Sequence, residues 1–131
     1  MVKLNDAAKK MIEGKNFASI ATVMPDGSPQ VTTVWVDHEG DTVLVNTAEG
    51  RLKHKNLIKN PKVALSVYDM SNPYNQVVVR GRVVEITRSG ADDHIDKMAK
   101  KYMGKDKYPY HNPKQKRVIV RIEPIRVSSP M

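Results

Sequence analysis

The sequence contains no cysteine among its 131 residues. This absence excludes disulfides, thiolate metal sites, cysteine nucleophiles and any redox mechanism based on protein thiols. Aromatic residues make up only 5% of the chain, so Val, Ile, Leu, Met and Ala must build most of its core. No stretch approaches the roughly 18 apolar residues of a membrane span, and residues 1–6 lack the apolar run of a secretory signal. We therefore expect a cytoplasmic protein that does not bind membranes.

Motifs for metal binding and hydrolysis are also missing. The four histidines show neither HxH nor HExxH spacing, so we predict no metal site and expect each of them at the surface: His38, His54, His94 and His111. The sequence has no GxSxG and no GxxxxGK[ST] segment, and its acidic residues form no obvious catalytic pair. The sequence therefore predicts no catalytic side chain.

What the sequence does contain is an excess of positive charge. It has 22 Lys and Arg against 14 Asp and Glu, a formal net charge of +8. This excess either serves solubility or indicates a polyanionic partner, such as nucleic acid, a membrane surface or a phosphorylated small molecule. The length and the 40% hydrophobic content suit one globular domain over residues 1–131.

Periodicity and turn residues predict about six strands and three helices. The predicted strands are 17–24, 30–37, 42–46, 62–68, 76–87 and 116–123, and the predicted helices are 5–15, 52–60 and 91–103. Residues 69–73 and 105–115 are predicted loops. Short connections favour antiparallel pairing, and Gly81 indicates a bulge or bend in the longest strand. This pattern is typical of a small barrel with flanking helices.

The densest basic cluster, residues 51–55, follows the strand that ends at Asn46 and Thr47 and begins a predicted helix. A helix N-terminus offers free N–H groups and the positive end of the helix dipole. Gly50 allows the backbone to approach a ligand closely, Arg51 can fork onto phosphate oxygens, and Lys53 adds a point charge. The cluster predicts a phosphate site, and a solvated basic helix face is the alternative.

Nucleic-acid binding has weaker support. Tyr102, Tyr108 and Tyr110 alternate with lysines over residues 100–110, as stacking residues do in proteins that bind single strands. However, Tyr102 falls on the apolar stripe of the helix predicted over 91–103, which places it in the core. We therefore regard a nucleic-acid partner as the less favoured interpretation.

The ordered segments resemble the FMN-binding split barrels of the pyridoxamine 5'-phosphate oxidase-like family. Within that family the chain is most similar to the flavin/deazaflavin oxidoreductases of group B, whose members often use coenzyme F420. The most specific segment is 46–57, Asn-Thr-Ala-Glu-Gly-Arg-Leu-Lys-His-Lys-Asn-Leu. The other segments are 17–22, 26–31, 33–36, 72–74, 79–83 and 117–124. The resemblance implies a mainly β fold, a six-stranded antiparallel split β-barrel, and a homodimer with cofactors at its interface.

The resemblance also implies cofactor contacts, residue by residue. The phosphate would be bound by Arg51 and Lys53, with help from Asn46, Thr47 and Ala48. The ring would be lined, largely through backbone, by Gln30, Thr32, Thr33, Val34 and Trp35. Three further residues would approach from the partner subunit: Tyr74, Asn75 and Gln76. No side chain is implied as a dedicated acid or base.

FMN and F420 share a ring shape and a phosphate, but F420 adds an anionic lactyl–oligoglutamate tail. The net charge of +8 suits such a tail, with Lys55, Lys59 or the lysines of 100–107 as its partners. We therefore expect an F420-dependent oxidoreductase that transfers a hydride between the reduced cofactor and an unsaturated or conjugated small molecule. The alternatives are an FMN-binding oxidoreductase or oxidase of the same fold, and a flavin or deazaflavin carrier without its own substrate.

Overall fold

The computed structural model describes residues 2–129, which form three helices and seven strands. The helices are α1 (Asp6–Glu13), α2 (Leu52–Lys59) and α3 (Ala91–Met103). The strands are β1 (Ala18–Val23), β2 (Pro29–Val34), β3 (Asp37–Glu39), β4 (Thr42–Ala48), β5 (Lys62–Asp69), β6 (Asn72–Thr87) and β7 (Arg117–Ser128). The prediction of a mainly β chain with three helices is confirmed.

The seven strands form one antiparallel sheet in the order β2-β1-β5-β6-β7-β4-β3. Within the described residues β2 and β3 have one strand neighbour each, so the sheet is open at that seam and not closed into a barrel. The predicted count of six strands is wrong, because the strand predicted over 30–37 is divided. It ends at Val34, and Asp37 begins the short strand β3, which pairs with β4.

A side chain from α3 explains this division. The backbone N–H of Val36 donates to the hydroxyl of Tyr102 at 3.1 Å. The backbone between β2 and β3 is thus bonded by a tyrosine from a distant helix where a strand would otherwise continue. Sequence periodicity does not contain such a partner, since it lies 66 residues away along the chain.

The loop predicted over 69–73 is mostly strand. β5 ends at Asp69 and β6 begins at Asn72, so only Met70 and Ser71 connect the two strands. The Oδ1 atom of Asp69 accepts hydrogen bonds from the backbone N–H of Ser71 at 2.9 Å and from its hydroxyl at 2.7 Å. This Asx-type turn closes the hairpin tightly.

The pairing of β6 is irregular at Gly81, where a bulge or bend is predicted, and the extra residue of the bulge is Ile125 of β7. The register with β7 shifts between Arg80 and Gly81, and a Cβ atom on Gly81 would lie 2.7 Å from the carbonyl oxygen of Glu123. β7 runs past its predicted end at 123 to Ser128 because Pro124 pairs at this bulge, where a missing backbone donor is tolerated.

Two hydrophobic clusters of the core support the site. The larger part lies between α1 and the sheet and includes Ile12, Ile20, Leu65 and Ile122. A smaller part forms where Ile95, Met98 and Tyr102 of α3 pack against Phe17, Trp35, Met103 and Tyr108. α3 has the predicted bounds and, at 13 residues, is the longest helix. None of the helices described is long and apolar enough to cross a bilayer.

Candidate functional site

A cavity of about 390 Å³ opens where β2, β4, α2, α3 and β7 converge. Seven residues predicted from the sequence line it: Thr33, Val34, Trp35, Asn46, Thr47, Arg51 and Lys53. Seven further residues complete the lining: Phe17, Ile95, Tyr102, Met103, Tyr108, Tyr110 and Arg117. The cavity therefore has one basic wall and one aromatic and apolar wall.

The basic wall consists of Arg51, Lys53 and Arg117. Burial lowers the pKa of Lys53, and the positive charges of Arg51 and Arg117 lower it further. Burial likewise lowers the pKa of Arg117, with Arg51 as the next cause. In the part of the chain that the structure describes, no carboxylate forms an ion pair with any of the three. The three cations repel one another, and none of them has a carboxylate in contact among the described residues.

Two buried polar atoms at this wall have no hydrogen-bond partner among residues 2–129: Oγ1 of Thr47 and Nη1 of Arg117. Thr47 is 1% exposed and Arg117 is 8% exposed. An unpaired buried polar atom costs about 1–3 kcal/mol, so such atoms are rare and need an explanation. Hydroxyl, guanidinium and ammonium donors that converge in this way fit the oxygens of a phosphate group.

The turn between β4 and α2 positions two of these cations. Gly50 has a φ angle of +87°, which glycine adopts readily. Its backbone N–H donates to Nδ1 of His54 at 3.1 Å, while the N–H of Arg51 bonds the carbonyl of Ala48 at 3.3 Å. Arg51 is the N-cap of α2 and makes no side-chain capping bond. His54 is buried, and its bond from Gly50 stabilises the turn. Its predicted surface position is therefore wrong.

The aromatic wall is a stack that rests on α3. Trp35 lies parallel to Tyr102, with ring centroids 5.0 Å apart, and the Tyr108 ring meets Trp35 edge-on at 6.0 Å. The hydroxyl of Tyr102 donates to the carbonyl of Asn16 at 2.6 Å. Burial raises the pKa of Tyr102 to about 12, although the backbone bond from Val36 opposes the rise. The prediction that Tyr102 belongs to the core is confirmed.

The remaining predicted site residues lie outside this cavity. Gln30 and Thr32 are on β2 but do not line it, and the Gln30 side chain bonds the hydroxyl of Thr22 at 3.2 Å. Ala48 contributes only its carbonyl, which accepts from Arg51. Three residues lie on β6, remote from the cavity within one protomer: Tyr74, Asn75 and Gln76. Their contact with a cofactor from a partner subunit stays a prediction.

Arg117 is the main residue that the sequence did not assign to the site. The alternation in 116–123 places Arg117 and Ile119 on one face of β7, and that face is buried in the structure. The presence of Ile119 was the available signal that this face is covered. Tyr108 and Tyr110 lie in the predicted loop, and the guanidinium of Arg117 lies 5.5 Å from the centroid of the Tyr108 ring.

Comparison with known proteins identifies the family of this chain. The family model described as pyridoxamine 5'-phosphate oxidase matches residues 4–129. A pyridoxine/pyridoxamine 5'-phosphate oxidase of Rhodopseudomonas palustris is 32% identical over 91 residues, which is 69% of this chain. One of Bradyrhizobium diazoefficiens is 35% identical over 95 residues, 70% of this chain. The chain spans less than half the length of these relatives, 42% and 43% respectively.

Solved structures give the same relationship. An F420 reductase superposes with a TM-score of 0.82 and 31% identity, over 95% of this chain and 98% of the reductase. A conserved hypothetical protein of Mycobacterium tuberculosis has a TM-score of 0.71 at 20% identity, over 97% of this chain and 84% of that protein, and shares the fold. Because the family model covers nearly the whole chain, this chain belongs to the pyridoxamine 5'-phosphate oxidase family.

Proposed function

We propose that this chain acts as one cofactor-binding domain that holds a phosphorylated flavin or deazaflavin for an oxidoreductase reaction. The observation that carries the proposal is the pair of unpartnered buried atoms, Thr47 Oγ1 and Arg117 Nη1. They lie in one cavity with Arg51 and Lys53. A phosphate in this cavity would accept hydrogen bonds from these atoms and would bring a negative charge into contact with the three cations.

The rest of the cavity suits a planar ring. Pockets for organic cofactors are mostly apolar with a few fixed polar groups, and Phe17, Trp35 and Ile95 provide such a wall here. Among the described strands β2 has a neighbour on one side only, so peptide groups on its open edge would be available to the polar edge of a ring. These contacts would orient the ring relative to its phosphate.

When bound, such a cofactor supplies the hydride chemistry. The residues that line the cavity include no carboxylate and no histidine. The chain would then bind the cofactor, orient its ring and exclude water from one side of that ring. The proposed reaction transfers a hydride between the reduced cofactor and an unsaturated or conjugated small molecule.

We propose F420 as the preferred cofactor. The F420 reductase is 31% identical across 98% of its length, whereas the pyridoxamine phosphate oxidases match over less than half of theirs. The net charge of +8 also suits the anionic tail of F420. FMN, which shares the ring shape and the phosphate, is the alternative, and so is a carrier that lacks a substrate of its own.

We further propose a homodimer with the cofactor at the subunit interface. Tyr74 is 74% exposed on β6 and lies outside the cavity of its own protomer. A second copy would allow Tyr74, Asn75 and Gln76 to approach the ring from the other side. Sedimentation velocity of the purified protein tests this, and a monomer in the presence of saturating cofactor would contradict it.

Cofactor titration tests the proposed function. Fluorescence titration with F420 and with FMN should give a dissociation constant below ~100 μM, about −5.5 kcal/mol, for at least one of them. Arg51→Ala should weaken that affinity by about 1.5–3 kcal/mol, the scale of a charge-assisted hydrogen bond. Lys10→Ala removes one positive charge from an exposed position of α1 and is the matched control. Failure of both cofactors to bind would overturn the proposal.

An acceptor screen separates enzyme from carrier. With the tighter cofactor in its reduced form, an enzyme oxidises it when a conjugated acceptor is added, and the cofactor absorbance reports the turnover. Tight binding without turnover across a broad panel of conjugated acceptors would favour the carrier.

A further inference from the structure

A chain of buried polar groups runs from β3 through α3 to the basic wall of the cavity. Nε of Arg117 donates to Oδ1 of Asn46 at 2.9 Å, and Nδ2 of Asn46 lies 3.1 Å from Nδ1 of His94. Nε2 of His94 lies 3.0 Å from Oδ2 of Asp37. Asp37 and His94 are each 8% exposed, and neither lines the cofactor cavity. His94 is thus buried, contrary to its predicted surface position.

The amide of Asn46 has only one orientation that fits its neighbours. Its Nδ2 atom lies 2.8 Å from the carbonyl oxygen of Ala91, which can only accept a hydrogen bond. The amide nitrogen therefore faces α3, and Oδ1 must face Arg117. Rotation of the amide by 180° would set its oxygen against the Ala91 carbonyl and its N–H against the guanidinium N–H.

The same logic fixes the proton on His94. The second N–H of the Asn46 amide points at Nδ1 of His94, so this nitrogen must be the acceptor and the ring proton must be on Nε2. Nε2 then donates to the carboxylate of Asp37. A carboxylate opposite Nε2 selects that tautomer. The state of Asp37 is in this way coupled to the orientation of Asn46.

We propose that Asp37 and His94 are positioning residues: they lock the Asn46 amide so that it holds Nε of Arg117 and leaves Nη1 free to bind the anion. This inference rests on the proposed phosphate site. Asp37 and His94 act at a distance, because Asn46 is the only one of the three that touches Arg117 among the bonds of the described residues.

Packing alone does not account for these residues. α3 is already anchored by Ile95, Met98 and Tyr102. A buried polar pair adds little stability compared with well-packed apolar residues of similar volume. A rigid hydrogen-bond chain, in contrast, restricts a guanidinium to one position, and pre-ordered donors bind an anion with a smaller loss of side-chain entropy.

The test compares each cofactor with its phosphate-free form, FMN with riboflavin and F420 with its deazariboflavin chromophore. The ratio of the two dissociation constants isolates the phosphate for FMN, and for F420 it reports the phosphate together with the anionic tail that it carries. His94→Phe removes the acceptor for Asn46, and we expect this ratio to fall about tenfold. Asp37→Asn, a nearly isosteric second variant, should lower it about threefold, because a neutral amide holds Nε2–H more weakly than a carboxylate.

A double-mutant cycle shows whether the effect passes through Arg117. In an Arg117→Met background, His94→Phe and Asp37→Asn should cause no further decrease in the ratio. Glu13→Gln is the matched control, since it removes a carboxylate that lies 2.6 Å from His38 and has no link to Asn46. It should leave the ratio unchanged.

The outcomes separate this inference from the proposed function. If the wild type prefers neither phosphorylated ligand to its phosphate-free form, the phosphate site itself is wrong. If it does prefer one, but the variants weaken both forms equally, Asp37 and His94 only maintain the fold and the inference is overturned. The inference also fails if their effect persists without Arg117.

Discussion

The protein has two regions where cationic side chains cluster, and they differ in how the charge is balanced. In the first, the paired region, Lys97 lies 3.4 Å from Asp37, and Lys101 donates to the carbonyls of Ile12 and Val36 at 2.5 and 2.9 Å. The second, the unpaired region, is the basic wall of Arg51, Lys53 and Arg117, which has no carboxylate partner among the described residues.

This difference is a better guide to the position of an anion site than the net charge of +8. A cation whose partner is part of the chain has its hydrogen bonds satisfied without a ligand. A cation whose partner is absent costs stability in the free protein, and such a cost is typical of binding sites. Substitutions in the paired region should therefore mainly change the free energy of unfolding. Substitutions in the unpaired region should mainly change affinity for the anion.

The largest effect is expected for Arg117→Met in the unpaired region. It removes a buried guanidinium that would contact phosphate, so affinity for the phosphorylated cofactor should fall by about 2–3 kcal/mol. The free energy of unfolding of the free protein should fall by less, about 1–2 kcal/mol at most, because the guanidinium has no ion-pair partner among the described residues and its removal breaks one hydrogen bond, to Asn46. Fluorescence titration and urea denaturation measure the two quantities. A large loss of stability with unchanged affinity would contradict the comparison.

In the paired region, Asp37→Asn should lower the free energy of unfolding more than it lowers affinity for the phosphorylated cofactor, for which only the decrease of about threefold is expected. Burial opposes ionisation of Asp37, but hydrogen bonds from His94 and the backbone of His38, with the charge of Lys97, lower its pKa to about 2. The usual value is 3.8, so the carboxylate contributes about 2 kcal/mol at pH 7. This stability is complete above about pH 4 and is lost as the pH falls through about 2.

Urea denaturation at pH 7, 4 and 2.5 checks this expectation. The wild type should lose stability over that range by more than Asp37→Asn does. Glu13→Gln, whose carboxylate is 60% exposed, should change the unfolding free energy by less than about 1 kcal/mol. Equal losses for both variants would show that Asp37 is no more important than an exposed pair.

The local parts of both regions could be predicted from the sequence. α3 has its predicted bounds because its apolar spacing, acidic start and Gly104 all indicate the same helix. Gly104 indeed has a left-handed φ of +69°. The place of Arg51 and Lys53 in the candidate site could also be predicted, since Gly50, Arg51 and Lys53 are close in sequence and share one turn.

What the sequence did not reveal depends on contacts between distant residues. Arg117 joins the site because β7 pairs with β4, which sets Arg117 opposite Ala48. His94 is buried because Asp37, 57 residues away, faces it. The division between β2 and β3 similarly follows from the Tyr102 hydroxyl. Periodicity within one element cannot report a partner in another.

Lys101 gives a smaller effect, and its stability contribution changes with pH in the same direction as that of Asp37 but in the alkaline range. Burial lowers its pKa to about 8 from 10.5, partly opposed by the charge of Asp37. Between these pH values the unfolded chain binds a proton that the folded chain does not, so stability rises with pH. We expect a gain of about 1–2 kcal/mol from pH 8 to 10. Lys101→Met should abolish the gain, whereas Lys97→Met, one turn away and 68% exposed, should retain it.

Lys53→Met should have the smallest effect, and its sign tests the comparison most directly. Burial and the charges of Arg51 and Arg117 lower the pKa of Lys53, so the ammonium destabilises the free protein. The variant should gain up to about 1 kcal/mol in unfolding free energy without ligand. With saturating phosphorylated cofactor the wild type should be more stable than the variant, because it gains more free energy of unfolding from binding. Thermal unfolding with and without cofactor measures both. Destabilisation in the free protein would mean that Lys53 has an internal partner and belongs with the paired region.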